Sequence, residues 1–288
     1  MKPETLISRY INEEYFNIGL ACTEPQLADL STEQTAIIVD QGLQTTQALS
    51  YSSLSEQSNR FAHVLTSLDL KPQDRVMLWL PNSIDFPVAF FGTLKLGAIA
   101  VPSSMLLTGE ELNYLATDSG ARILVTTSAL LNTLQAYNSH THRLEHIILV
   151  DERDPPLTSR PNSRPCIHDY QAIMRNQPSQ FAATNTKAND PAYLVYTSGT
   201  TGYPKGVLHA HRALIGRLPA SRYWFDYAEE GDRILHSGKF NWTYVLGTAL
   251  MDPLYLGKSV VLYEGEAGAE TWPRLIAKHE CSIFIGVP

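Results

Sequence analysis

The chain is 288 residues long, 44% hydrophobic and 18% charged, the balance of a globular protein with a large core. Seventeen Gly and 17 Pro are too few for a collagen-like or low-complexity class. A net charge of −7, from 22 basic and 29 acidic residues, argues against a general nucleic-acid or anionic-membrane binder, so an anionic ligand must be held by a local site.

The first residues (MKPETLISRYINEEYF) carry charge where a signal peptide needs an apolar stretch. Ser53 and Glu56 form an S-x-x-E capping box, and Leu54, Phe61, Leu65 and Leu68 then share one helical face. Residues 75–80 (RVMLWL) read as a strand ended by Pro81-Asn82, and 84–96 as a helix with Gly97 at its C-cap. A strand follows at 99–101, stopped by Pro102. Thr108 and Glu111 open a helix that ends before Gly120. A strand at 123–126, a helix at 128–137 and a strand at 146–150 continue the alternation. Alternating strands and helices, with strands that are apolar runs, predict an α/β fold of largely parallel sheets covered by helices.

Residues 151–165 are charged and hold four prolines, and residues 176–191 are polar and weakly patterned. Both read as surface loops or as the join between two subdomains, giving units of 1–180 and 181–288. After Pro191 come a strand at 192–196, a helix at 211–220, an apolar helix at 243–255, a strand at 259–263, a helix at 270–279 and a strand at 281–287. The longest apolar run, 88–101, is 14 residues and contains Lys95, short of the about 20 a membrane span needs. Cys22, Cys166 and Cys281 lie far apart with no CxxC, the pattern of reduced thiols in a cytoplasmic protein.

One segment carries chemistry. The ten residues after Tyr196, TSGTTGYPKG, hold four Ser or Thr hydroxyls, three glycines and one lysine. Glycines let the backbone approach a ligand, hydroxyls and successive N–H groups hold phosphate oxygens, and Lys205 adds a positive charge. The expected polyphosphate contacts are Thr197, Ser198, Gly199, Thr200, Thr201, Gly202 and Lys205, on a loop between a strand and the helix beginning near His211. The order is not that of a Walker A loop, because Pro204 precedes the lysine and Gly206 follows it. Gly257-Lys258-Ser259 also lacks the required upstream glycine, since position 252 is Asp. His209 and His211 stand at i and i+2, do not share a helix face, and read as the start of that helix rather than as metal ligands. Glu264 and Glu266 read as solvated. No metal site and no catalytic residue are assigned.

The string AYLVYTSGTTGYPKG resembles the phosphate-binding signature of the AMP-forming adenylating superfamily, which includes acyl-CoA synthetases, peptide-synthetase adenylation domains and luciferases. YSSLSEQSNRFAHVL at 51–65, LKLGAIAVP at 94–102 and IGVP at 285–288 resemble further motifs of these enzymes. GKFNWTYVLG at 238–247, followed by PLYLGKSVVLYEG, is similar to benzoate-type and short-to-medium-chain carboxylate–CoA ligases. The resemblance implies a carboxylic acid, ATP with Mg²⁺, and CoA as co-substrate. It also implies that Trp242 and Tyr244 wall the acyl pocket. The family's Y-G-x-T-E strand, ribose-binding aspartate and C-terminal lysine domain have no match here, so the resemblance is to the N-terminal portion alone. The expectation is a chain inactive by itself. The alternatives are one piece of a split enzyme completed by a C-terminal polypeptide, or a non-catalytic phosphate-binding module.

Overall fold

A computed structural model describes residues 3–24, 31, 33–42, 45–135, 143–151, 165–197, 202–227, 229 and 231–286. The strands are β1 (Thr35–Asp40), β2 (Thr46–Ser50), β3 (Arg75–Trp79), β4 (Ile99–Pro102), β5 (Ile123–Thr126), β6 (His146–Leu149) and β7 (Cys166–Asp169). They continue with β8 (Pro191–Thr197), β9 (Lys205–Ala210), β10 (Arg233–His236), β11 (Ser259–Tyr263) and β12 (Ile283–Ile285). Two sheets result, one of seven strands in the order β7-β6-β5-β3-β4-β8-β9 and one of five in the order β12-β10-β11-β1-β2. Every pairing of these strands is parallel except β8 with β9 and β1 with β2.

Strand periodicity divides the core into layers. In β3, Val76 and Leu78 join the main cluster, while Met77 and Trp79 face the opposite way into a second one. In β11, Val260 and Leu262 join the main cluster and Val261 a third. The main cluster therefore lies between the sheets. It is filled by the helices Tyr51–Ser67 and Asp85–Lys95 and by the helix over residues 243–255. Residues 86–95 of the second of these are all buried, as a helix clad on all sides requires. The second cluster lies under the helices Gly109–Ser119 and Ser128–Gln135, and the third lies under the helix Thr271–Lys278 on the outer face of the five-stranded sheet.

Most expected elements are present within a residue or two, and the differences have local causes. The helix expected to open at Ser53 begins at Tyr51, because the Ser50 hydroxyl accepts the Ser53 N–H at 3.2 Å and takes the N-cap role. The Thr108 capping box forms as expected, with Thr108 N–H donating to Glu111 Oε2 at 2.8 Å. Gly97 and Gly120 take positive φ at helix ends. The helix expected over residues 243–255 contains a π-turn at Gly247–Met251. Strands β1, β2, β7, β9 and β10 add to those expected. The division expected at residue 180 does not coincide with a sheet boundary. β8 and β9 complete the sheet that β3 to β7 begin, and β1 and β2 join the sheet of β10 to β12. The expected loop at 151–165 lies mostly outside the described residues.

Candidate functional site

The loop after Tyr196 does not lead into a helix. It connects β8 to the antiparallel β9, with Thr197 opposite Lys205 and Tyr196 opposite Gly206, and the next helix, Ala213–Tyr223, starts only after β9. The residues KGVLHA pair with β8 along their length, so tertiary pairing makes a strand where the approach to a helix was expected. Thr197, Gly202 and Lys205 are exposed at the hairpin's end. Ser198, Gly199, Thr200 and Thr201 lie outside the described residues. Gly202 has φ +119°, a conformation suited to glycine, and, its chain neighbours aside, no described residue stands within 4 Å of where its Cβ would lie. The hairpin is braced on the helix Gly109–Ser119. Tyr203 stacks on Tyr114 at 4.7 Å, and Tyr196 Oη donates to Asp118 Oδ2 at 2.6 Å.

A cleft of about 760 Å³ lies between loops that follow strands of both sheets. Ser104, Met105 and Leu106 come after β4, Lys239 and Trp242 after β10, Glu264 after β11 and Gly286 after β12. These loops, like the hairpin after β8, follow the carboxyl ends of parallel strands, where open α/β sheets bind ligands. Trp242 is 53% exposed and lines this cleft with Trp272 and Phe284. Tyr244 is not among its lining residues and instead packs near Phe225 at 6.2 Å and His236 at 5.7 Å.

His236 is fully buried, and burial lowers its imidazole to about 4. Its Nδ1 accepts the Gly238 N–H at 2.9 Å, which leaves Nε2 to donate to Thr248 Oγ1 at 3.1 Å. Glu264, expected to be solvated, pairs with Lys239 at 2.6 Å and accepts the Asn82 N–H at 3.0 Å. His209 lies on β9, not at a helix start, and stacks on Tyr193 at 4.5 Å. His211 Nδ1 accepts the Ile18 N–H at 3.1 Å. Lys258 and Ser259 bond to the carbonyls of Glu229 and Thr35, so that G-K-S triplet is structural. Sequence reasoning misses Asn82 and Lys239 as site residues. Asn82 reads as a strand stop, and its partners lie 156 to 182 positions away, beyond any local pattern.

Among the described residues, no group of three or more His, Cys, Asp or Glu is placed to hold a metal ion. No helix there is long and apolar enough to cross a membrane.

The family model for AMP-binding enzymes matches residues 26–288. The benzoate–CoA ligase of Thauera aromatica is 32% identical over 257 residues, which are 88% of this chain and 45% of that protein. The crystal structure of the anthranilate CoA ligase AuaEII with anthranoyl-AMP superposes with a TM-score of 0.79 at 26% identity, over 94% of this chain and 49% of the other. The Brucella canis acyl-CoA synthetase shares the fold, with a TM-score of 0.86 at 22% identity over 100% of this chain and 51% of the other. The chain thus spans about half the length of these relatives. With a signature hairpin, a cleft at the strand ends and a match over 26–288, it belongs to the AMP-binding enzyme family.

Proposed function

We propose that this chain supplies the phosphate-binding hairpin and the acid-binding cleft of an AMP-forming carboxylate–CoA ligase. The reaction joins a carboxylic acid to ATP, releasing pyrophosphate, and passes the acyl group from the adenylate to the thiol of CoA. The observation that carries this reading is the β8–β9 hairpin, which sets Thr197 opposite Lys205 at an exposed tip. Thr197, Gly202 and Lys205, together with the adjoining Ser198, Gly199, Thr200 and Thr201, are proposed to hold the β- and γ-phosphates. Mg²⁺ binds chiefly through phosphates and waters, so a hairpin without a carboxylate cluster suits it as part of the nucleotide complex, where it neutralises phosphate charge. Lys205 adds positive charge where the leaving pyrophosphate gathers negative charge.

Trp242 is proposed to wall the acyl pocket, with Trp272 and Phe284 offering flat apolar surfaces that suit an aromatic acid. The benzoate–CoA ligase relative supports that class of substrate. Tyr244, expected as a second wall residue, lies outside this lining and packs near Phe225 and His236, so the wall is proposed for Trp242 without it. The test is benzoate-dependent exchange of pyrophosphate into ATP by the whole polypeptide that the gene encodes. Lys205→Ala should slow it about a hundredfold. Equal rates in the variant would remove the hairpin's assigned role, and no acid-dependent exchange in the wild type would remove the reading.

A further inference from the structure

We propose that Asn82 is a positioning residue for the acid-binding cleft, an inference that rests on the cleft's assignment under Proposed function. Asn82 is 1% exposed and is not itself a lining residue. Its Nδ2 donates to Gly238 O at 3.1 Å and to Tyr263 O at 3.2 Å, and its Oδ1 accepts the Phe240 N–H at 3.0 Å. Its backbone N–H donates to Glu264 Oε2 at 3.0 Å, the oxygen that also accepts from Lys239 Nζ at 2.6 Å. One residue therefore ties the loop after β3 to the loop after β10, to the end of β11 and, through its backbone N–H, to Glu264 just beyond.

The loop at 237–242 belongs to no strand, so its backbone polar groups need other partners. Asn82 supplies two of them, and His236 supplies a third by accepting the Gly238 N–H. An amide is the side chain that can donate twice and accept at once here. The loop it fixes carries Gly238, Lys239, Asn241 and Trp242 into the cleft. The phosphate hairpin belongs to a different sheet from β10 and β11 and, among the described residues, makes no bond to the Asn82 side chain. Loss of the amide should therefore disturb acid binding and spare the nucleotide.

The experiment, on the whole polypeptide that the gene encodes, compares wild type, Asn82→Ala, Asn82→Asp and, as a stability control, Leu131→Ala, which opens a cavity in the second core cluster. Each is measured for hydrogen exchange over residues 237–242 and for the KM of benzoate and of ATP. Asn82→Ala should speed loop exchange and raise the benzoate KM, each about tenfold, with the ATP KM unchanged. Asn82→Asp keeps the acceptor for Phe240 N–H but sets a carboxylate oxygen against the carbonyls of Gly238 and Tyr263, and should disturb the loop and the benzoate KM at least as much as Asn82→Ala. Leu131→Ala should lower the melting temperature with both KM values unchanged. Unchanged loop exchange, or benzoate and ATP KM values rising together, would overturn the proposal. If Asn82→Ala does not fold, Asn82→Gln, which keeps the amide but displaces it by one methylene, decides by the same comparison. An active wild type with an unchanged benzoate KM in the variants removes this proposal alone. An inactive wild type removes the functional reading and this proposal with it.

Discussion

Trp242 stands half-exposed at the start of a helix, where its ring can bound the cleft without supporting the core. Trp242→Ala should therefore shift preference toward bulkier acids, by about ten- to two-hundred-fold in relative kcat/KM, with little loss of stability. A panel of substituted benzoates checks this, and an unchanged ranking would assign the ring to packing. His236 makes a separate prediction. Only its neutral ring can accept from Gly238 and donate to Thr248. Its folded-state pKa is lowered from 6.5 to about 4, so between those values the unfolded chain binds the proton and the folded chain does not. Its contribution is complete above pH 6.5, falls as pH drops toward 4, and levels off below. The span is on the order of 3 kcal/mol. His211 acts with the same sign, and Asp85, raised to about 6 by burial, with the opposite one. The stability difference between wild type and His236→Asn isolates the effect, and urea titrations should show it shrinking from about pH 7 to about pH 4.

The π-turn at Gly247–Met251 is an element whose sequence carries no warning. Its first residue is glycine because a Cβ there would overlap the Arg217 guanidinium. Arg217 Nε donates to Asp252 Oδ1 at 3.0 Å, and Nη2 to Oδ2 at 3.0 Å. Asp252 is fully buried, and burial raises its carboxyl against the opposing pull of Arg217. Gly247→Ala should push aside the guanidinium, the end of a flexible and 30% exposed side chain, and distort its pairing with Asp252, at about 1–3 kcal/mol. Urea denaturation measures the loss, and a change below about 1 kcal/mol would mean the helix absorbs the methyl group. The β8–β9 hairpin makes the complementary point. The phosphate-loop composition is legible in TSGTTGYPKG, but β9 is not, because KGVLHA becomes a strand through pairing with β8.

The two sheets exchange segments along the chain. β1 lies against β11, with Ile37 opposite Val260, and β4 lies against β8, with Ala100 opposite Tyr193. Residues 1–180 alone would leave both β1 and β4 with an open edge and remove one side of the main core. That fragment should show no cooperative melting transition, whereas the 288-residue chain should melt in one. Circular dichroism on both checks this, and a cooperative transition in the fragment would show that the seven-stranded sheet needs no contribution from β8.

Periodicity, caps and turn residues determined most helices and the strands β3 to β6, β8, β11 and β12, because those signals act within a few residues. The string TSGTTGYPKG and the family it points to were legible for the same reason. Only the tertiary structure decided that β9 is a strand, that Glu264 is paired, and that Asn82 joins three loops. It also placed Trp242 in the cleft and Tyr244 outside its lining. Each depends on groups brought together from distant parts of the chain, and hydrogen bonds between residues 156 to 182 positions apart leave no periodic trace in the sequence between them.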